Sequence, residues 1–129
     1  MPLVKVYRRA GRPPQENAQI IAAIHQALVE AFKIPDSDRN HLLFELDGAH
    51  MEAPPDRTAA YTLIEIAAFP GRSADAKRAL YRGLCARLEA IGILPSDLFV
   101  ILSEPALENW SVRNGLSSAD HKPAFKLDV

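Results

Sequence analysis

Two residues with distinct chemistry stand near the starts of the two halves of the chain: Pro2, directly behind Met1, and Arg72, in a Gly71-Arg72-Ser73 turn. Removal of Met1 leaves Pro2 as a free cyclic secondary amine, a compact base. α-Amino groups titrate at roughly 7.7–8.0, and an apolar pocket lowers that further, because desolvation disfavours the cation. A base poised near neutrality suits proton transfer at carbon. Arg72 complements it. Ser73 is placed to cap a helix, the unpaired N–H groups of a helix start favour an anion, and a guanidinium grips a carboxylate through two parallel N–H bonds. The implied chemistry is movement of a proton between carbon and an enol oxygen of a small carboxylate substrate. No cofactor is needed, because the carbonyl or carboxylate is the electron sink. Taken singly, Pro2 is an ordinary second residue, and Arg72 is a turn residue able to pair with Asp75.

Composition narrows the alternatives. The 129 residues suit one domain with a real core; they are 48% hydrophobic and 24% charged, with a net charge of -1. That balance gives no basic footprint for a nucleic-acid partner, and the Arg8-Arg9 and Arg12 cluster reads as a solvated strand end. Cys85 is the only cysteine, so no disulfide forms within the chain. With no apolar stretch of signal-peptide or membrane-spanning length, the expectation is a cytoplasmic protein without a membrane partner. Cys85 falls in a helical apolar pattern and reads as a small core residue. His25, His41, His50 and His121 lack metal-ligand spacing, and His25, inside the first helix, reads as structural. Neither a phosphate-cradling glycine loop nor a nucleophile elbow is present.

The elements that position these residues repeat. Gly11-Arg12 recurs as Gly71-Arg72, and Ile34-Pro35 as Leu94-Pro95. Ile20, Ile24, Leu28 and Leu42 recur as Leu80, Leu84, Leu88 and Leu102, all at one offset. Each half reads strand, helix, strand, with the pseudo-repeats at about 2–46 and 61–103. Residues 2–8 alternate β-branched Val4 and Val6; Pro13-Pro14 opens a helix striped by Ile20, Ile24, Leu28 and Phe32; Pro35 ends it, and His41–Leu46 is the second strand. Residues 47–60 form the joining loop. In the second half a strand over 61–69 precedes a helix capped by Ser73 and striped by Leu80, Leu84, Leu88 and Ile91, with Gly92 at its C-cap. Residues 98–102 are the last strand, and 104–129 read as irregular, with a short turn around 109–111. The fold class is therefore α+β: two βαβ units forming a four-stranded sheet with both helices on one face. Its open face would be partly apolar and calls for burial against further copies of the chain.

The Met1-Pro2 start, the two βαβ units, the Gly71-Arg72-Ser73 turn and the late Glu108-Asn109-Trp110-Ser111 with Asn114-Gly115 resemble the tautomerase superfamily. Within it the chain looks most like the malonate semialdehyde decarboxylase group. That match runs through Pro2–Val6, Gly11-Arg12, His25, Val29–Phe32, Pro35 and Asp38-Arg39, then Gly71–Ser73, Lys77, Leu102–Glu104, Trp110-Ser111 and Gly115. The resemblance implies a macrophage migration inhibitory factor-like fold, a homotrimer and an amino-terminal proline as catalytic group. It carries the family's acidic partner to Asp38, otherwise a turn or cap residue, and one of two substrate-binding arginines to Arg72. Phe69 and Pro70 stand where the second arginine would lie, which weakens the case for decarboxylase or hydratase activity. Apolar Phe69 points toward small 2-oxo acids with an aryl group. Trp110, the only tryptophan, reads chiefly as a packing residue that can also wall the pocket. A trimer that keeps the fold as a non-enzymatic ligand-binding scaffold is the remaining reading.

Overall fold

A computed structural model describes residues 1–129. Its elements run β1 (Leu3–Arg9), α1 (Gln15–Phe32), β2 (His41–Leu46), β3 (Thr62–Ala67), α2 (Ala74–Glu89) and β4 (Leu98–Ser103). Short 3-10 turns lie at Gly48–His50, Pro95–Asp97 and Leu107–Asn109. The last of these begins two residues before the turn expected around Asn109, and the first two are unforeseen.

The sheet order is β2-β1-β3-β4. β1 runs parallel to β2 and β3 parallel to β4, while the two units meet antiparallel along β1 and β3. Strand alternation puts Val4 and Val6 of β1, and Ile64 and Ile66 of β3, under the helices. There they meet Ile20, Ile24, Leu28 and Phe32 of α1 and Leu80, Leu84 and Leu88 of α2 in one core. The helix stripes and strand alternation seen in the sequence are thus the two sides of a single apolar layer.

Helix ends follow local chemistry. α1 stops where Lys33 takes a left-handed φ of 57°, two residues before Pro35. Ser73 Oγ accepts the Ala76 N–H at the start of α2. Beyond α2, Gly92 has a φ of 97°, and the Ile93 N–H returns to the Leu88 carbonyl at 3.0 Å, a left-handed termination that glycine makes cheap.

The opposite sheet face carries no helix. Leu42, Phe44, Phe99 and Ile101 are each 40–52% exposed there, and Lys5 opposes Glu65 across the β1–β3 ladder. No helix is long and apolar enough to cross a membrane.

Adjacent α2 residues should respond in opposite directions to the same replacement. A methyl group built on Gly83 would meet the Ala27 Cβ at 3.5 Å, an ordinary contact, so Gly83→Ala should stabilise the chain by about 0.5–1 kcal/mol through helix propensity. Leu84 is fully buried, and Leu84→Ala should cost about 2–5 kcal/mol. Urea denaturation of both variants checks the pair; a destabilised Gly83→Ala would mean that α1 and α2 pack more closely than described.

Candidate active site

Strand directions decide which residues meet. β1 and β2 begin at the end of the sheet where β3 and β4 finish, since Leu3 pairs with Ala67, and Ala67 with Ser103. The residues before β1 and β2 and those after β3 and β4 therefore converge: Pro2, Asp38, Phe69–Arg72 and Glu104. Pro2 is buried. The amino group of Met1 forms an ion pair with the Asp38 carboxylate. Asn40 Nδ2 approaches the other Asp38 oxygen at 3.4 Å, and the Val4 N–H donates to the Asn40 carbonyl at 2.9 Å.

Arg72 lies inside this end of the sheet, 5% exposed. It does not pair with Asp75, whose carboxylate instead accepts from Arg78. Its guanidinium carbon stands 4.9 Å from the centre of the Phe32 ring, and Nη1 donates to the Phe69 carbonyl at 3.1 Å. Nε and Nη2 are buried with no partner in the chain. Desolvation lowers its pKa, with the nearby carboxylates of Glu104 and Asp38 acting the other way; an arginine stays cationic at neutral pH regardless. The Nε–Nη2 edge is the side that presents two parallel donors to a carboxylate.

The chain shows what such an edge binds. Arg12 is the counterpart of Arg72 in the first repeat, at the opposite end of the sheet. There Glu16 takes Arg12 Nε at 3.4 Å and Nη2 at 3.3 Å, and also accepts from Arg8 Nη2 at 3.0 Å. At the same offset the residue matching Glu16 is Ala76. Where the first repeat fills its arginine edge with its own carboxylate, the second repeat has a methyl group.

Phe69 and Trp110 pack edge to face with ring centres 5.0 Å apart, and Trp110 Nε1 donates to the Pro105 carbonyl at 3.0 Å. Trp110 is thus fixed in packing and at the same time covers Phe69. Glu104, to which the sequence pattern assigns no role, forms an ion pair with Lys77 beside Arg72. Two of the donors at the start of α2 are taken up within the chain: the Ser73 N–H donates to the Val129 oxygen at 2.9 Å, and the Ala76 N–H to Ser73 Oγ.

Two family models described as "Tautomerase enzyme" match residues 38–113 and 2–60 of this chain. "Probable tautomerase YusQ" of Bacillus subtilis is 26% identical over 121 residues, which covers 89% of this chain and 95% of that protein. A malonate semialdehyde decarboxylase, solved with a proline-to-alanine mutant to explain its decarboxylase and hydratase activities, superposes with a TM-score of 0.82. It is 29% identical, over 90% of this chain and 94% of its own. A malonate semialdehyde decarboxylase inhibited by 3-bromopropiolate gives a TM-score of 0.86 at 25% identity, over 96% and 99% of the two chains.

Beside Asp38, the first residue of β2 carries an unusual imidazole. Burial, then the charges of His25 and Arg39, push His41 down to about 4, against the opposing pull of Asp38. Its folded value lies below the unfolded one of 6.5, so between these values only the unfolded chain takes up the proton. The His41 contribution to stability is therefore complete above pH 6.5 and is lost as pH falls toward 4. NMR titration should place its midpoint near 4, and a His41→Gln variant should lose less stability than the parent across that window. An imidazole that titrates with an ordinary midpoint would contradict the packing described.

Proposed function

Because the chain belongs to the tautomerase family, we propose that it is a cofactor-independent isomerase that moves a proton between carbon and enol oxygen on small 2-oxo acids, with Pro2 as the base. Removal of Met1 frees the Pro2 nitrogen beside Asp38, the carboxylate that holds the amino group of Met1. The neutral amine takes a proton from the enol oxygen, or from the carbon next to the carbonyl. The electron pair moves to the neighbouring centre, and the protonated amine returns the proton there. Asp38 orients the ammonium and stabilises it between the two transfers. Arg72 holds the substrate carboxylate along Nε and Nη2, and Phe69 and Trp110 form the apolar wall for its side chain.

The observation that carries this reading is the unfilled edge of Arg72. Two buried donors without partners cost about 1–3 kcal/mol each, and Arg12 with Glu16 shows the matching edge closed by a carboxylate. Burial of the edge means that substrate reaches it as surrounding side chains move.

Decarboxylation or hydration of a three-carbon oxo acid is a second reading, favoured by the 29% identity with a malonate semialdehyde decarboxylase. Phe69 and Pro70 leave Arg72 without a neighbouring arginine, so carbon dioxide release should be slow beside enol turnover. We also assign the uncovered sheet face to contact between copies of the chain, as a trimer. Four large apolar side chains there are at least 40% exposed, and water is a poor partner for such a patch.

Mature protein, shown by intact mass to lack Met1, should ketonise the enol of an aryl 2-oxo acid. Pro2→Ala should lower kcat/KM by about a hundredfold, and Arg72→Ala should mainly raise KM. Full activity in Pro2→Ala would sink the proline mechanism. For the assembly, light scattering should give three times the mass of one chain, and Ile101→Glu should reduce it to one; an unaltered mass for Ile101→Glu would remove the sheet face as the contact.

A further inference from the structure

Behind the candidate site lies a second histidine that the proton-transfer scheme leaves unused. His25 sits on α1 with no exposed surface. Its Nε2 lies 2.8 Å from the Asp36 carbonyl and 3.3 Å from the Asp36 Oδ1. Both are acceptors, so Nε2 carries the proton and donates. Nδ1 is buried without a partner. A leucine would fill the same space without an unpaired nitrogen, so packing alone does not account for an imidazole here.

What the imidazole holds is the turn that presents Asp38. Within that turn the Asp38 N–H donates to the Pro35 carbonyl at 3.0 Å, and the Arg39 N–H to the Ser37 carbonyl at 3.0 Å. The Asp36 carbonyl has no place in that pattern and turns inward to His25. At the far end of the turn the same ring packs edge-on against His41, with centres 5.4 Å apart. His25 therefore grips the segment 36–41 at both ends. Its own helix is anchored in the core by Ile24 and Leu28 and places Phe32 under Arg72. One rigid helix thus holds both Asp38 and Arg72 in register.

We propose that His25 is a positioning residue, which sets the Asp38 carboxylate against the amino-terminal amine through its hydrogen bond to the Asp36 carbonyl. The kinetic part of this inference rests on the proline reading above; the structural part does not. A turn exposed at Asp36, Ser37 and Arg39 has freedom to drift without that anchor, and displacement of an acting group by about 1 Å can cost a hundredfold in rate.

The test compares His25→Leu, which fills the space without a donor, with His25→Gln, whose side-chain nitrogen can reproduce the Nε2 donor. Both are set against the parent and Asp38→Asn. The first readout is NMR titration of the amino-terminal amine, which requires no activity. Asp38→Asn should lower the amine pKa by removing its counter-charge, with Arg72, Lys77 and Glu104 unchanged around it. His25→Leu should lower it in the same direction, and His25→Gln should restore most of it. The second readout is enol turnover: His25→Leu should lose about tenfold to a hundredfold in kcat with KM little changed, since Arg72 is untouched. An amine pKa equal in the parent and His25→Leu, but shifted in Asp38→Asn, would overturn the positioning role. So would His25→Gln behaving as His25→Leu at equal thermal stability. A shifted amine together with full turnover in Pro2→Ala would uphold the positioning of Asp38 and remove only the proline mechanism.

Discussion

The arrangement turns on one buried guanidinium. Arg72 is drawn into the end of the sheet over the Phe32 ring, tied by a single hydrogen bond to the Phe69 carbonyl, and left with its Nε–Nη2 edge unfilled. A buried cation is tolerated when counter-charges stand nearby, and Asp38 and Glu104 supply them from the two flanking segments. Neither hydrogen-bonds to it. Each is engaged elsewhere, Asp38 with the amino terminus and Glu104 with Lys77. The guanidinium thus has counter-charges nearby and two donors left without a partner in the chain.

The internal repeat provides the control. Each end of the sheet receives one helix-start arginine, and the two differ in what fills the guanidinium edge. Arg8 and Arg12 share Glu16, and Asn17 reaches Glu45, so that end is satisfied from within. Glu16 is partly desolvated, which raises its pKa, yet its bonds to Arg8 and Arg12 hold it below the ordinary carboxylate range. At the other end Ala76 stands in place of the carboxylate. Thr62, the residue that matches Pro2 at the same offset, is a mid-chain strand residue whose hydroxyl donates to the Ala60 carbonyl. The two ends share one repeated frame and differ at the arginine edge, filled at Arg12 and unfilled at Arg72.

These differences explain what the sequence could and could not reveal. Helix stripes and strand alternation are local and periodic, so the elements, their order and the α+β class could be read from Ile20, Ile24, Leu28 and their counterparts. Pro2 and Arg72 were legible because their chemistry is particular to residue type. Asp38 was reached only through family resemblance, since an aspartate after a proline is ordinarily a turn residue. Glu104 carried no assignment, and His25 read only as a structural residue of the first helix: their contacts with Lys77 and Asp36 exist only in the folded chain. Two signals were present nonetheless. His25 is polar in an apolar helix stripe where packing asks for nothing polar, and the repeat offset, extended to Glu16, pairs it with Ala76 by counting alone. The docking of Val129 on Ser73 has no such signal.

On the proposed reading, the same charge arrangement bears on which acids fit. A single carboxylate completes the Arg72 edge and leaves Asp38 free to face the Pro2 amine. A second carboxylate would need another cation. Lys77 is already paired with Glu104, and Phe69 and Pro70 place no second cation beside Arg72. A dianion would therefore have to be placed against Asp38, Glu104 or the Phe69–Trp110 wall, where low polarity magnifies like-charge repulsion. The geometry that makes one carboxylate welcome makes a second one costly, and it leaves the apolar wall for the rest of the substrate to occupy.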